Sequence, residues 1–178
     1  MKTLIVYTSQ TGFTKKYTDW LSERTGAETL DIKEAQKKDD AFFEGYDAIV
    51  YAGWIMAGKI VKLNWFLEKA QGWRGKRLAF FGVGGSPADT PDIAVTLKNA
   101  LTDEQREYIK AFYCQGGFCY EKMNLPSRAM MKMFVGSLKK RKDATPEQRE
   151  MAEQISKSYD ISDKKYIEPI AAYLEGEN

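Results

Sequence analysis

The chain has 178 residues, of which 43% are hydrophobic and 29% are charged, and its formal net charge is +2. This length and composition are typical of one globular domain and exclude a disordered chain. No apolar stretch reaches the roughly 18 residues of a membrane-spanning helix, and no signal peptide follows Met1, so we expect a cytoplasmic protein. Histidine is absent, which removes the commonest general base and metal ligand. We therefore expect the chemistry to come from a cofactor, with no metal site and no catalytic side chain.

The first predicted elements are a strand, a tight loop and a helix. Residues 4–7, LIVY, form an apolar run typical of a strand that is buried on both faces of a parallel sheet. Residues 14–24 carry Tyr17, Trp20 and Leu21 at helical spacing.

The loop between them, TSQTGFT, concentrates hydroxyl groups around one glycine. The N–H groups at the start of a helix lack intrahelical partners and lie at the positive end of its dipole, so they stabilise an anion. Thr8, Ser9, Thr11 and Thr14 add hydroxyl donors, and Gly12 lets the backbone approach closely. The loop therefore predicts a phosphate cradle. The alternative is that these residues only cap the helix, although a cap needs one such residue.

Strands and helices alternate along the rest of the chain. The further predicted strands are residues 27–32, 47–53, 77–83 and 108–115. The further predicted helices are residues 59–70, a helix that begins at Pro91, residues 146–158 and residues 163–175, where Pro169 favours a kink or a later start. This alternation predicts an open parallel sheet with helices on both faces, and ligands of such sheets bind beyond the carboxyl ends of the strands.

Three segments carry a family resemblance. The loop lacks the G-K-[ST] ending of a P-loop and the G-x-G-x-x-G spacing of a dinucleotide-binding loop, and it resembles the phosphate loop of flavodoxins. GWIMAGKIVK at residues 53–62 and QGGFCYEKMNLPSRAMMKMFVG at residues 115–136 resemble segments of the flavodoxin domain family that includes the oxygen-independent, flavodoxin-type protoporphyrinogen dehydrogenases. The resemblance implies a flavodoxin-like α/β fold over residues 1–178 as a single domain, with an open five-stranded parallel sheet in the order 2-1-3-4-5 and an extra helical segment after strand five.

The resemblance also implies FMN as the cofactor and assigns its binding to three loops. The residues that would hold the phosphate are Thr8, Ser9, Gln10, Thr11, Gly12, Phe13 and Thr14. The residues that would border the isoalloxazine are Gly53, Trp54, Ile55, Met56, Ala57 and Gly58 on one side and Val83, Gly84, Gly85 and Ser86 on the other. Many relatives have a tyrosine where this chain has Met56, so Trp54 is the aromatic residue available to stack on the flavin. A core position for Trp54 is the alternative.

The first ring-binding loop is followed by Lys59 and Lys62, and residues 53–67 contain no Asp or Glu. Cations favour the negative charge that reduction adds to a flavin, so this segment predicts a less negative potential than in strongly acidic flavodoxins.

The segment from Arg128 to Lys142, RAMMKMFVGSLKKRK, joins methionines and other apolar residues to six cations. As a basic amphipathic helix it could contact an anionic membrane or an acidic partner. The alternative is a helix that packs on the sheet with its lysines in water, and Gly136 and Ser137 interrupt the pattern. The cations are local and lack interleaved aromatic residues, so we expect no binding to nucleic acid.

Three functions agree with these features. The first is an FMN-binding redox protein that transfers electrons between cytoplasmic partner proteins. The second is an FMN dehydrogenase that oxidises protoporphyrinogen or a quinone-linked substrate at the membrane surface. The third is a flavodoxin-like binding module without flavin, which the colour of the purified protein would exclude.

Overall fold

The computed structural model describes residues 1–141 and 143–176. Five parallel strands form the central sheet, and they are β1 (Thr3–Tyr7), β2 (Glu28–Asp31), β3 (Ala48–Met56), β5 (Arg77–Gly84) and β6 (Ile109–Gln115). Their order is β2-β1-β3-β5-β6, which is the order 2-1-3-4-5 of the predicted strands. Two short antiparallel pairs are added: β4 (Lys59–Ile60) pairs with β3, and β7 (Gly117–Phe118) pairs with β8 (Tyr159–Asp160).

The helices are α1 (Phe13–Thr25), α2 (Ile32–Ala35), α3 (Asp40–Glu44), α4 (Leu63–Ala70), α5 (Pro91–Asn99), α6 (Asp103–Arg106), α7 (Leu125–Lys140), α8 (Pro146–Gln154) and α9 (Glu168–Glu175). Helices α1 to α6 connect the strands of the central sheet, as the alternating pattern predicts, and α7 to α9 follow β6. Turns of 3₁₀-helix lie at Gln71–Trp73, Tyr120–Lys122 and Lys164–Tyr166.

The sheet buries apolar side chains on both faces, which is why its strands read as continuous apolar runs. Alternate residues of each strand enter opposite cores: Leu4 and Val6 pack with Phe66 of α4, whereas Ile5 packs with Leu21 of α1 and with α9. The register aligns Leu4 with Ile49 and Ile49 with Leu78, so each core is continuous across the strands. The two cores hold the carboxyl ends of the strands at one edge of the sheet.

A hairpin replaces the first turns of a predicted helix. Residues 59–70 do not form one helix, because β3 continues through Met56, turns at Ala57 and Gly58, and returns as β4. Both turn residues have positive φ, 49° and 72°, which is the geometry of a two-residue hairpin with a type I′ turn. The prediction for residues 59–62 was therefore wrong, and α4 begins at Leu63.

The end of the chain differs from its predicted boundaries in three places. The helix predicted for residues 146–158 ends at Gln154, and the last helix begins at Glu168, so the later start favoured by Pro169 is confirmed. Gly136 does not interrupt α7, which is continuous from Leu125 to Lys140. Lys142, the last residue of the predicted basic segment, lies outside the described residues.

Within residues 1–141 and 143–176, no helix combines the length and the hydropathy that crossing a membrane requires.

Candidate functional site

The carboxyl edge of the sheet carries a cavity of about 610 Å³. All three predicted loops line it: the loop after β1, the hairpin between β3 and β4, and the end of β5. The predicted site residues on its wall are Gln10, Thr11, Phe13, Thr14, Trp54, Ile55, Met56, Ala57, Gly58, Val83, Gly84, Gly85 and Ser86. Parallel strands end at the same edge, which is why segments distant in sequence meet here.

The loop after β1 presents a run of unpaired donors to this edge. The first backbone N–H of the loop, that of Thr8, donates to the carbonyl of Ala52 at 2.9 Å and so extends the sheet by one residue. Among the hydrogen bonds of the described residues, none is donated by the backbone N–H groups of residues 9–14. These N–H groups precede and begin α1, at the positive end of its dipole, so the loop is built to donate hydrogen bonds to an anion.

No hydroxyl of the loop forms the N-cap of α1. The N-cap of α1 is Gly12, whose φ of 101° favours glycine, and no side chain caps it. Ser9 Oγ accepts from Lys15 N at 3.3 Å, so one hydroxyl does serve the first turn. The hydroxyls of Thr11 and Thr14 make no hydrogen bond within the described part of the chain and remain available to a ligand.

Four predicted residues do not line the cavity. Thr8 is buried where it extends the sheet, Ser9 supports α1, and Gly12 forms the left-handed turn of the loop. Gly53 lies inside β3, where an added Cβ would come within 2.9 Å of the Val61 carbonyl oxygen. The structure therefore gives Gly53 a packing role and does not bring it to the cavity.

Trp54 is the tryptophan that the structure brings to the site. It pairs with Val83 across β3 and β5, and both residues line the cavity. The other tryptophans pack elsewhere: Trp65 and Trp73 belong to the core around Phe43, and Trp20 packs edge-on against Tyr17 of α1. These contacts leave Trp54 as the indole that lines the cavity.

The third loop is held by hydroxyl groups from neighbouring strands. Tyr113 of β6 donates to the carbonyl of Ser86 at 2.5 Å, and Tyr159 of β8 donates to the carbonyl of Gly85 at 3.0 Å. A Cβ built on Gly85 would collide with the ring of Phe118, so a larger residue at this position would require that ring to move. Burial raises the pKa of Tyr113, and it raises that of Tyr159 to about 12, so both hydroxyls keep their protons at neutral pH and can donate.

Two helices that the sequence did not assign to the site complete its wall. Helix α5 contributes Asp92, Ile93, Val95, Thr96 and Asn99, and the chain after β6 contributes Gly117, Phe118, Met123, Ser127, Met130, Met131 and Phe134. A signal for the second group was present, since residues 115–136 carried the family resemblance. The sequence could not show that α7 returns to the carboxyl edge.

Asp92 is the one ionisable side chain on the cavity wall among the described residues. It follows Pro91 in the first turn of α5, far in sequence from residues 53–67, which contain no Asp or Glu. No cluster of three acidic or thiol side chains able to hold a metal is found within residues 1–141 and 143–176.

The order of the strands and the position of the cavity define a doubly wound α/β protein whose ligand site lies beyond the strand ends. The model of the flavodoxin domain matches residues 4–145, and the chain belongs to this family.

Comparison with solved structures gives distant similarities. A flavodoxin, WrbA-like protein from Agrobacterium tumefaciens is 16% identical, with a TM-score of 0.50 over 75% of this chain and 91% of that chain. A flavoprotein in complex with FMN from Lactobacillus acidophilus NCFM is 17% identical, with a TM-score of 0.45 over 63% of this chain and 90% of that chain. No curated protein matches this sequence significantly.

FMN is the cofactor that membership of the family implies, and the site fits it. The unpaired N–H groups and the hydroxyls suit a terminal phosphate. The cavity of about 610 Å³ lies in the range of pockets that enclose a small organic ligand, and its apolar wall suits an aromatic ring system.

Proposed function

We propose that this protein binds FMN at the carboxyl edge of its sheet and transfers electrons between cytoplasmic redox partners. The observation that carries the proposal is the run of unpaired N–H groups of residues 9–14 beside a cavity with an indole on its wall. Bound FMN supplies the electron transfer that the side chains of this chain cannot perform.

The chain's own residues would bind and orient that cofactor. The backbone N–H groups of residues 9–14 and the hydroxyls of Thr11 and Thr14 would donate to the phosphate. Trp54 and the hairpin would border one side of the ring, and the end of β5 from Val83 to Ser86 the other. The hairpin tip, Ala57 and Gly58, is exposed and leaves that side of the site accessible to a redox partner.

A second candidate is an FMN dehydrogenase for a large apolar substrate, such as protoporphyrinogen or a quinone-linked compound. The observation that favours it is the apolar wall that α7 adds beyond the predicted flavin loops, with Met130, Met131 and Phe134 facing the cavity. Phe134 is 50% exposed, so it borders the mouth through which a substrate would enter.

The first test is the identity of the flavin in the purified protein. We expect a yellow protein that releases FMN, and not FAD, on denaturation. A colourless protein that binds neither FMN nor riboflavin in a titration would contradict both redox functions and support the binding module.

The second test separates a carrier from an enzyme. Phe134→Ser alters the cavity wall, whereas Met133→Ser alters a side chain that is 71% exposed and does not line the cavity. For a dehydrogenase, Phe134→Ser should slow oxidation of protoporphyrinogen or reduction of quinone in an anaerobic assay, and Met133→Ser should not. For a carrier, neither variant should change the rate of electron transfer to a protein acceptor. If α7 acts as a membrane contact, Met133→Ser should be the more harmful of the two in the presence of anionic vesicles.

A further inference from the structure

A lysine from the far end of the sheet reaches the phosphate loop. A Cβ built on Gly12 would lie 4.0 Å from Lys122 Nζ, and apart from its chain neighbours and the helix backbone no other atom is that close. The side of Gly12 that would carry a side chain is therefore open, and the ammonium group of Lys122 lies next to it. Lys122 follows β6 by seven residues and was not predicted as part of the site.

The lysines nearest to the loop in sequence are engaged elsewhere. Lys15 Nζ lies 2.7 Å from the carboxylate of Asp19, and Lys16 Nζ lies 2.7 Å from that of Asp160. The ion pairs of the described residues include none with Lys122. Of these lysines, Lys122 is the one whose ammonium group remains available to an anion in the loop.

The turn that carries Lys122 is fixed by the rest of the fold. Tyr120 N donates to Ser158 Oγ at 3.0 Å, and the buried Tyr120 hydroxyl donates to the carbonyl of Ile155 at 2.6 Å. Ser158 Oγ in turn donates to the carboxylate of Glu121 at 2.6 Å. A side chain on a fixed backbone loses less conformational entropy on pairing with a ligand than one on a flexible backbone. Its ion pair with the ligand is therefore more favourable than that of a side chain on a flexible loop.

We infer that Lys122 is a further phosphate-binding residue, which closes the loop of residues 9–14 by pairing its ammonium group with the terminal phosphate of FMN. The inference rests on the proposed binding of FMN and deepens it. A loop of neutral donors alone would hold the phosphate through hydrogen bonds, whereas Lys122 adds an ion pair to a group that carries up to about two negative charges near neutral pH. The contribution of Lys122 should therefore depend on salt and on the presence of the phosphate.

The experiment compares FMN with riboflavin, which has the same ring system without the phosphate. Apoprotein is titrated with each flavin at low and high ionic strength, for the wild type, Lys122→Gln, Lys122→Arg and Lys110→Gln. Lys110 is the matched control, because it is exposed, makes none of the ion pairs found in the described residues, and lies at the start of β6, at the opposite edge of the sheet.

We expect Lys122→Gln to weaken FMN binding by about tenfold at low ionic strength and by less at high ionic strength, since charge-assisted bonds are strong but screened. Riboflavin binding should stay within about twofold, Lys122→Arg should retain most of the FMN affinity, and Lys110→Gln should match the wild type. Unchanged FMN affinity, or equal weakening of FMN and riboflavin, would overturn the role of Lys122 and leave the proposed function standing. A wild type that binds neither flavin would overturn both.

Discussion

At the scale of single residues, the position of the loop of residues 9–14 at the cavity could be predicted because the signal is local. Hydroxyl groups, one glycine and a following helix stand within one short segment, so their sequence order determines their proximity. The sequence could not show which of these hydroxyl groups already form hydrogen bonds within the protein. The structure shows that Ser9 supports α1, whereas Thr11 and Thr14 have no partner among the described residues and face the cavity.

Replacing Thr11 and Thr14 together with valine should weaken FMN binding by at least about tenfold. Each hydroxyl would donate to a charged phosphate, and such a hydrogen bond contributes about 1.5–3 kcal/mol. Thr18→Val is the matched control, because the Thr18 hydroxyl is buried on the same helix without a hydrogen-bond partner in the described structure. Isothermal titration with FMN measures the effect. Equal affinities for the double variant and the wild type would show that these hydroxyls do not contact the phosphate.

Trp54 should report on the ring of the cofactor. We expect FMN to quench the tryptophan fluorescence of the wild type strongly. In Trp54→Ala, the decrease in fluorescence on addition of FMN should be much smaller. Trp20→Phe is the control, because Trp20 packs against Tyr17 and away from the cavity, so its removal should leave the FMN-dependent change nearly intact. The same quenching in Trp54→Ala as in the wild type would assign the aromatic contact to another residue.

Asp92 should lower the reduction potential of the bound flavin. This effect is opposite to that of Lys59 and Lys62, which are predicted to make the potential less negative. A unit charge about 7 Å from the ring contributes about 0.6 kcal/mol in water and about 2.4 kcal/mol at an effective dielectric of about 20, which corresponds to a range from about 25 mV to about 100 mV for one electron. Asp92→Asn should therefore raise the potential, and more so at low ionic strength. Potentiometric titration measures it, and a downward shift or no shift at either salt concentration would refute the electrostatic role of Asp92.

At the scale of elements, the strands were predicted well because burial on both faces leaves a continuous apolar signature. The hairpin at Ala57 and Gly58 was missed because its turn lacks the usual Asn-Gly signal, and Ile60 then appeared to continue the apolar stripe of the following helix. The path of α7 was missed for a different reason. An amphipathic helix shows that it has an apolar face, but its sequence does not say whether that face contacts the sheet, a membrane or a cavity.

Tyr17 joins three elements below the site, and its loss should destabilise the fold. Its hydroxyl donates to the carbonyl of Gln115 in β6 and accepts from Asp163 N, before α9, at 3.0 Å. Tyr17→Phe leaves both backbone groups without this partner, so unfolding should become easier by about 1–3 kcal/mol. Tyr46→Phe, which removes a hydrogen bond to the exposed Glu28, should cost less. Denaturant unfolding at neutral pH measures both variants, and equal losses would contradict the bridging role of Tyr17.

The same residue predicts a pH dependence. Burial raises the pKa of Tyr17 to about 12, above the value of about 10 in the unfolded chain. Because only the unfolded state ionises between these values, Tyr17 contributes full stability below pH 10 and loses it as the pH rises toward 12. Tyr17→Phe should therefore show a shallower loss of stability in this range than the wild type. An equally steep loss would assign the alkaline transition to other tyrosines.

At the scale of the whole molecule, the site depends on the order of the strands. Placing β1 between β2 and β3 brings the loop of residues 9–14 beside the hairpin after β3, and the next strand adds Gly84 and Gly85 to the same edge. The segment after β6 then returns over this edge and brings Phe134 to the cavity and Lys122 to Gly12. Such contacts join residues more than 100 positions apart, and no local pattern encodes them.

The central claim is that the terminal phosphate of FMN lies in the loop that begins α1. The measurement that tests it most directly is the amide NMR spectrum of the protein with FMN and with riboflavin. FMN should shift the amide signals of Thr11, Gly12 and Phe13 most strongly, because their N–H groups would gain acceptors, and riboflavin should leave these three nearly unchanged while it shifts Gly85. If FMN and riboflavin shift the loop amides equally, or FMN leaves them unshifted, the phosphate does not bind in this loop and the account is contradicted.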